Sequence, residues 1–203
     1  MSNASVRTSY QLRKVSRDQL KGNWGKCVLV CLVYSLIIIG INFIPHAGII
    51  ISFLIVGPLT LGVVGCFIKL VKSEKFQVED LFDGFKNLGS AIILYIIMSI
   101  FIFLWSLLLI IPGLIASLRY SMAMYVLSEN PDIPVLEALD ESKKMMYGHK
   151  WELFCLLISF LGWIILSVVT FGIGFIFVCP YMQAATANFY QDVKLVPILN
   201  NQE

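Results

Sequence analysis

Apolar residues run through the chain in six long stretches, at 27–44, 49–71, 89–111, 112–127, 151–169 and 175–190. Each approaches the roughly 20 residues that an α-helix needs to cross the hydrocarbon core of a bilayer. The fourth and sixth are short. Each, however, closes a continuous stretch, 89–127 or 151–190, that fits two crossings and a tight turn. Turn chemistry falls where the crossings must reverse, at Pro45-His46-Ala47-Gly48, Pro112-Gly113 and Thr170-Phe171-Gly172-Ile173-Gly174. The pattern predicts an all-α, polytopic transmembrane helical bundle of six spans, built as three hairpins.

Between the hairpins the period becomes that of an amphipathic helix. Val78, Leu81, Phe82, Phe85 and Leu88 share one helix face, and Val135, Leu139 and Met146 mark a similar stripe in 134–147. In the latter, Glu137, Asp140 and Glu141 precede Lys143 and Lys144, which suits the helix dipole. Such helices are expected to lie on the inner leaflet or to cover the base of the bundle. Each outward span follows a glycine, in Gly22-Asn23-Trp24, Gly84-Phe85-Lys86 and Gly148-His149-Lys150-Trp151, at separations of 62 and 64 residues. The glycine is expected to permit the turn into the membrane, with Trp24 and Trp151 as equivalent interfacial anchors. Each return helix carries a proline, Pro58, Pro112 or Pro180. The chain thus reads as one motif used three times, at 9–71, 76–127 and 134–191. These form a single membrane domain, with 192–203 as a short cytoplasmic tail.

Basic residues orient the bundle. Arg7, Arg13, Lys14, Arg17, Lys21 and Lys26 precede the first span, and Lys69, Lys72, Lys75 and Lys86 separate the second from the third. Lys143, Lys144 and Lys150 separate the fourth from the fifth, and Lys194 follows the sixth, whereas the three turns carry no charge. By the positive-inside rule both termini are cytoplasmic. Composition agrees, with 58% apolar and 14% charged residues against about 45–50% and 25% in soluble domains. The first 26 residues are polar and no small-residue cleavage site follows the first apolar run, which is expected to stay as an anchor. A formal charge of +2 is too small and dispersed for a nucleic-acid partner. Cys27, Cys31, Cys66, Cys155 and Cys179 all lie in apolar runs without a C-x-x-C pair. They read as small apolar filler, and no metal is expected.

Several short runs carry a family resemblance. They are Leu20-Lys21-Gly22-Asn23-Trp24-Gly25, Ile111-Pro112-Gly113, Arg119-Tyr120-Ser121-Met122-Ala123, Ser128-Glu129-Asn130-Pro131-Asp132 and Glu141-Ser142-Lys143-Lys144-Met145-Met146. Gly148-His149-Lys150-Trp151, Pro180-Tyr181-Met182-Gln183 and Ala187-Asn188-Phe189-Tyr190 complete the set. Over nearly its whole length the chain resembles a bacterial integral-membrane family described as domain of unknown function 975. More loosely it is similar to the membrane portion of some glycerophosphodiester phosphodiesterases, whose hydrolase domain it lacks. The resemblance implies a multi-pass protein of the bacterial cytoplasmic membrane and brings no activity with it.

Arg119 is the chief candidate for chemistry, because a guanidinium inside a span costs at least a few kcal/mol and is rarely idle. Registered on the three prolines, Arg119 takes the place of the small residues Gly65 and Ala187, and Tyr120 that of Cys66 and Asn188. This predicts a ligand site of Arg119, Tyr120, Gln183 and Asn188 inside the bundle, engaging an anion such as a lipid phosphate. The competing reading is a structural arginine that bonds backbone carbonyls or pairs with Glu152. No Asp or Glu lies well inside a span, which disfavours ion-coupled transport. His46 and His149 fall on opposite sides, and the serines within spans lack a G-x-S-x-G setting. No catalytic residue or cofactor is expected. The favoured function is a non-enzymatic module that binds membrane lipids or a protein or peptide partner, in envelope homeostasis or protection against membrane-active peptides. A small-solute transporter or channel and a lipid-modifying enzyme are the alternatives.

Overall fold

The computed structural model describes residues 6–43, 48–170 and 172–200, which are helical with no strand among them. The first unit is α1 (Ser9–Leu20), α2 (Trp24–Asn42) and α3 (Gly48–Val71). A 3-10 helix, Val78–Phe85, leads to α4 (Leu88–Leu108), α5 (Ile110–Tyr120) and α6 (Ala123–Glu129). Then follow α7 (Val135–Met145), α8 (Lys150–Ile158), α9 (Leu161–Val169) and α10 (Phe175–Asn200). Among the described residues four helical stretches are long and apolar enough to cross a membrane: Trp24–Asn42, Leu54–Val71, Leu88–Leu107 and Lys150–Val169. Their outward faces stay apolar, as at Leu36, Phe103 and Ile165, a surface that lipid can cover and water cannot. The expected turn at Pro45, His46 and Ala47 lies outside the described residues, as does Phe171.

Two expected spans are interrupted, both at a serine. Ser121 Oγ donates to Leu118 O at 2.7 Å where α5 gives way to α6, and Ser159 Oγ donates to Leu156 O at 2.6 Å between α8 and α9. A hydroxyl that bonds back three residues competes with the helical ladder and bends it. The carbonyl of Arg119, released near the first break, accepts from Ser142 Oγ of α7 at 2.9 Å. Residues 192–200, expected as a tail, instead continue α10.

α3 is the axis of the structure, packed by α2, α4, α6, α10 and the 3-10 helix. Its small residues allow that crowding. A methyl group on Gly62 would overlap the Leu81 carbonyl, and one on Gly84 would overlap the Pro58 carbonyl. This explains why 78–85 departs from the expected α-helix. Leu81 and Gly84 are buried three residues apart, the period of a 3-10 helix, while Phe82 is 49% exposed. Gly84 therefore serves close approach to α3. Gly22 and Gly148, by contrast, do make the expected turns, with φ of +87° and +88°. The second and third hairpins close alike, Gly113 against Ser106 and Gly174 against Ser167.

Charge closes the base. The Glu129 carboxylate, at the end of α6, accepts from Tyr190 at 2.7 Å, Gln191 at 3.0 Å and Lys194 at 2.5 Å, all on α10. Lys72, just past α3, completes the set at 2.6 Å. Burial alone would raise the Glu129 pKa, but the bonds from Lys194, Lys72, Tyr190 and Gln191 outweigh it and hold the carboxyl down at about 2.

Two predictions follow from these contacts. Gly62→Ala and Gly84→Ala each lower stability in detergent by about 2 kcal/mol or more, read by thermal unfolding. Gly89→Ala, where a methyl group meets nothing within 4 Å, serves as the neutral control. Glu129→Gln costs about 2–3 kcal/mol at neutral pH, since it removes charge-assisted bonds from a buried acceptor. Because the folded pKa lies below the ordinary 4.5, this stabilisation is complete above pH 4.5 and fades as pH falls towards 2. Wild type therefore loses melting temperature across that window, and Glu129→Gln loses less.

Candidate functional site

α1 is built to lie against the bundle with one face and to present charge with the other. Thr8 and Gln11 cap it reciprocally, Gln11 N–H to Thr8 Oγ1 at 3.4 Å and Thr8 N–H to Gln11 Oε1 at 3.0 Å. Leu12, Ser16 and Leu20, four residues apart, are its buried face. Asn188 of α10, only 1% exposed, donates its amide to Ser16 Oγ at 3.2 Å, Gln19 Oε1 at 2.6 Å and Ala184 O at 3.0 Å. The Arg7 guanidinium clasps Asp192, with Nε to Oδ2 at 2.8 Å and Nη2 to Oδ1 at 2.5 Å. Tyr181 Oη donates to Arg13 O at 3.1 Å. These bonds fix α1 across α10.

The outer face of α1 then becomes one wall of a groove whose other wall is Trp163 of α9 and Tyr181 of α10. The polar part, about 370 Å³, presents the cations Arg13, Lys14, Arg17 and Lys21 beside one carboxylate, Asp18. Asp18 is taken by Lys21 at 2.6 Å, and that bond lowers its pKa, helped by the charges of Lys14 and Arg17. Arg13 Nη1 donates to Ser159 O at 3.3 Å, the carbonyl at the α8–α9 break. Its Nε is buried with no partner among the described residues. The Arg17 guanidinium stands 5.9 Å from the centre of the Tyr181 ring, a cation–π distance. The groove continues into an apolar part of about 480 Å³ formed by Trp24, Trp163, Phe177 and Val178. Trp163 and Phe177 are 44% and 57% exposed there.

One contact sets the depth of this groove. The rings of Trp24 and Phe177 are 6.3 Å apart. The expected six-span topology would put Trp24 at the inner interface and Phe177 one turn from the outer one, on either side of a core about 30 Å thick. Side chains of this size cannot bridge such a distance. Phe177 at the start of α10 therefore lies near the level of Trp24, and the third hairpin does not extend as far from α1 as six straight, parallel crossings require.

The residues expected to form a site are dispersed. Arg119 is exposed on α5, over a shallow hollow of about 190 Å³ with Trp105, Pro112, Ile115, Ala116 and Tyr120. Tyr120 faces inward and is buried, stacked on Phe101 at 5.7 Å, with Lys143 Nζ 5.9 Å from its ring centre. Asn188 is committed to α1, and Gln183 is half-buried on α10. The proline register misplaces Arg119 because Gly113, Ala116 and Tyr120 supply the buried row of α5, turning residue 119 outward. Nor does Glu152 pair with Arg119, since it lies 2.7 Å from His149 Nδ1. Cys27, Cys31 and Cys66 are buried free thiols. Among the described residues no three or more His, Cys, Asp or Glu side chains gather as a metal site.

Sequence reasoning missed both the groove and the Glu129 cluster. The α1 cations are legible only as markers of orientation, and the groove partners of Arg13 and Arg17, Ser159 and Tyr181, are 146 and 164 residues away. For Glu129 a signal existed, since Lys72, Glu129 and Lys194 each stand where a return helix leaves its apolar stretch.

A family model described as Protein of unknown function (DUF975) matches residues 1–115 and 107–196. No curated protein and no solved structure matches the chain, so the looser likeness to glycerophosphodiester phosphodiesterases is not shown.

The shared level of Trp24 and Phe177 is open to a direct check. With the native cysteines replaced by alanine, Trp24→Cys and Phe177→Cys join efficiently through a short thiol cross-linker in membranes. The pair Phe43→Cys and Phe177→Cys, which a straight sixth crossing would bring together, stays uncoupled.

Proposed function

We propose a lipid-binding membrane role for this chain, which belongs to the DUF975 family of proteins of unknown function. In this reading it is an integral protein of the bacterial cytoplasmic membrane with both termini in the cytoplasm. The first two hairpins cross the bilayer, α5 and α6 together serving as the return of the second. The third enters from the cytoplasmic side and turns back part-way, so that both termini still share one face. Six apolar segments then give four crossings and a re-entrant pair. In that pair Lys150–Val169, though long and apolar enough to cross, bends at Ser159 and stays part-way, while α5 and α6 together complete the fourth crossing.

The groove of α1, α9 and α10 carries the proposal. It joins a cluster of cations to a wall of exposed aromatic surface, the two chemistries of an amphiphile arranged end to end. The lysines ahead of the first span support a cytoplasmic position for its polar end. We assign the groove binding and no catalysis. The carboxylates Glu129 and Asp192 and the amide of Asn188 serve to join helices. The outer face of α1 presents Arg13, Lys14 and Arg17 to the groove.

Native mass spectrometry of the protein gently extracted from its own membrane tests this. Wild type retains lipid, and Trp163→Ala with Phe177→Ala, which strips the apolar wall, retains several-fold less at unchanged melting temperature. Equal retention in both would sink the groove as a lipid site.

A further inference from the structure

We infer that the groove selects a net-anionic phospholipid headgroup, one whose phosphate carries no compensating amine; this rests on the lipid-binding reading above. Four cations surround the polar part, and the lone carboxylate there, Asp18, is already satisfied by Lys21 at 2.6 Å. An ammonium headgroup entering this space finds no free acceptor of opposite charge and meets the field of Arg13, Lys14 and Arg17. A phosphate finds the reverse.

Two details narrow the ligand to a phosphate. Arg13 Nε is a buried donor without a partner, while Nη1 of the same guanidinium is held by the Ser159 carbonyl at 3.3 Å. Leaving such a donor unpaired is costly, and a ligand oxygen beside it removes the cost. The Arg17 guanidinium is steadied by the Tyr181 ring at 5.9 Å yet makes no side-chain hydrogen bond among the described residues. A phosphate, with several acceptor oxygens in a compact tetrahedron, can take bonds from both guanidinium groups at once. The same molecule's acyl chain continues over Trp163 and Phe177, which line the adjoining apolar cavity together with Arg17 and Lys21.

The test uses the full-length protein in vesicles of equal parts phosphatidylglycerol and phosphatidylethanolamine with matched acyl chains, extracted mildly and weighed intact. Wild type carries phosphatidylglycerol in roughly tenfold preference, as one additional charge-assisted hydrogen bond allows. Arg13→Gln with Arg17→Gln abolishes the preference while lipid of either kind is still retained. Arg17→Gln alone, an exposed position with no hydrogen bond to lose, reduces the preference and guards against misfolding of the double variant. The preference also weakens with added salt. Equal retention of the two lipids by wild type, or a preference unchanged in both variants, overturns the selection for anionic headgroups but leaves a lipid groove standing. No retention of either lipid removes both.

Discussion

Where Gly62 meets the Leu81 carbonyl and Gly84 meets the Pro58 carbonyl, two stretches of backbone touch with no side chain between them. Everything else in the bundle is arranged around that approach. Helices in lipid gain little from burying apolar surface against one another, so contact area and fit must hold them together. The small face of α3 supplies this fit on several sides at once. Gly57 admits α4, Gly65 sits beside Ser128 of α6, and Gly62 takes the 3-10 helix. With α3 so enclosed, α2 and α4 are left to face outward with large aliphatic and aromatic side chains.

Polar bonds then fix what packing leaves free. They gather where helices end, and they join segments far apart in the chain, as in Arg7 with Asp192 and Glu129 with Lys194. Both pairs draw on the last three turns of α10. That helix is thereby committed along two sides, to α1 through Asn188 and to α6 through Tyr190. The groove is a by-product of this commitment. Once α1 is pinned by its Leu12, Ser16 and Leu20 face, its opposite face has nowhere to point except towards Trp163 and solvent.

The helical stretches were legible because lipid offers the backbone no other partner than its own helix. The interruptions were not, since Ser121 and Ser159 look like the unbroken Ser99, whose hydroxyl also bonds back along its helix. The stripe at 78–88 misleads about period, because Leu81 and Phe82 satisfy an α-helical face on paper while the neighbouring glycine surface admits only every third residue. The analogy among three prolines places Arg119 inside, and its buried neighbours Ala116 and Tyr120 show that the analogy does not extend to which side faces in. The groove was invisible for a simpler reason. It joins residues 13–21 to 163 and 177–181, and no local pattern records that meeting.

The place of α10 in the chain has a consequence for how the molecule is made. Residues emerge from synthesis in order, and α10 follows everything it holds. Until it arrives, Arg7 waits for a partner 185 residues downstream. Glu129 has Lys72 but not its three remaining donors, and Ser16 and Gln19 lack Asn188. A chain interrupted after α9 would have its membrane anchors in place and its base open. The unfinished product would thus carry unmet charges at one face, a difference that a proteolytic surveillance system could read without inspecting the rest of the molecule.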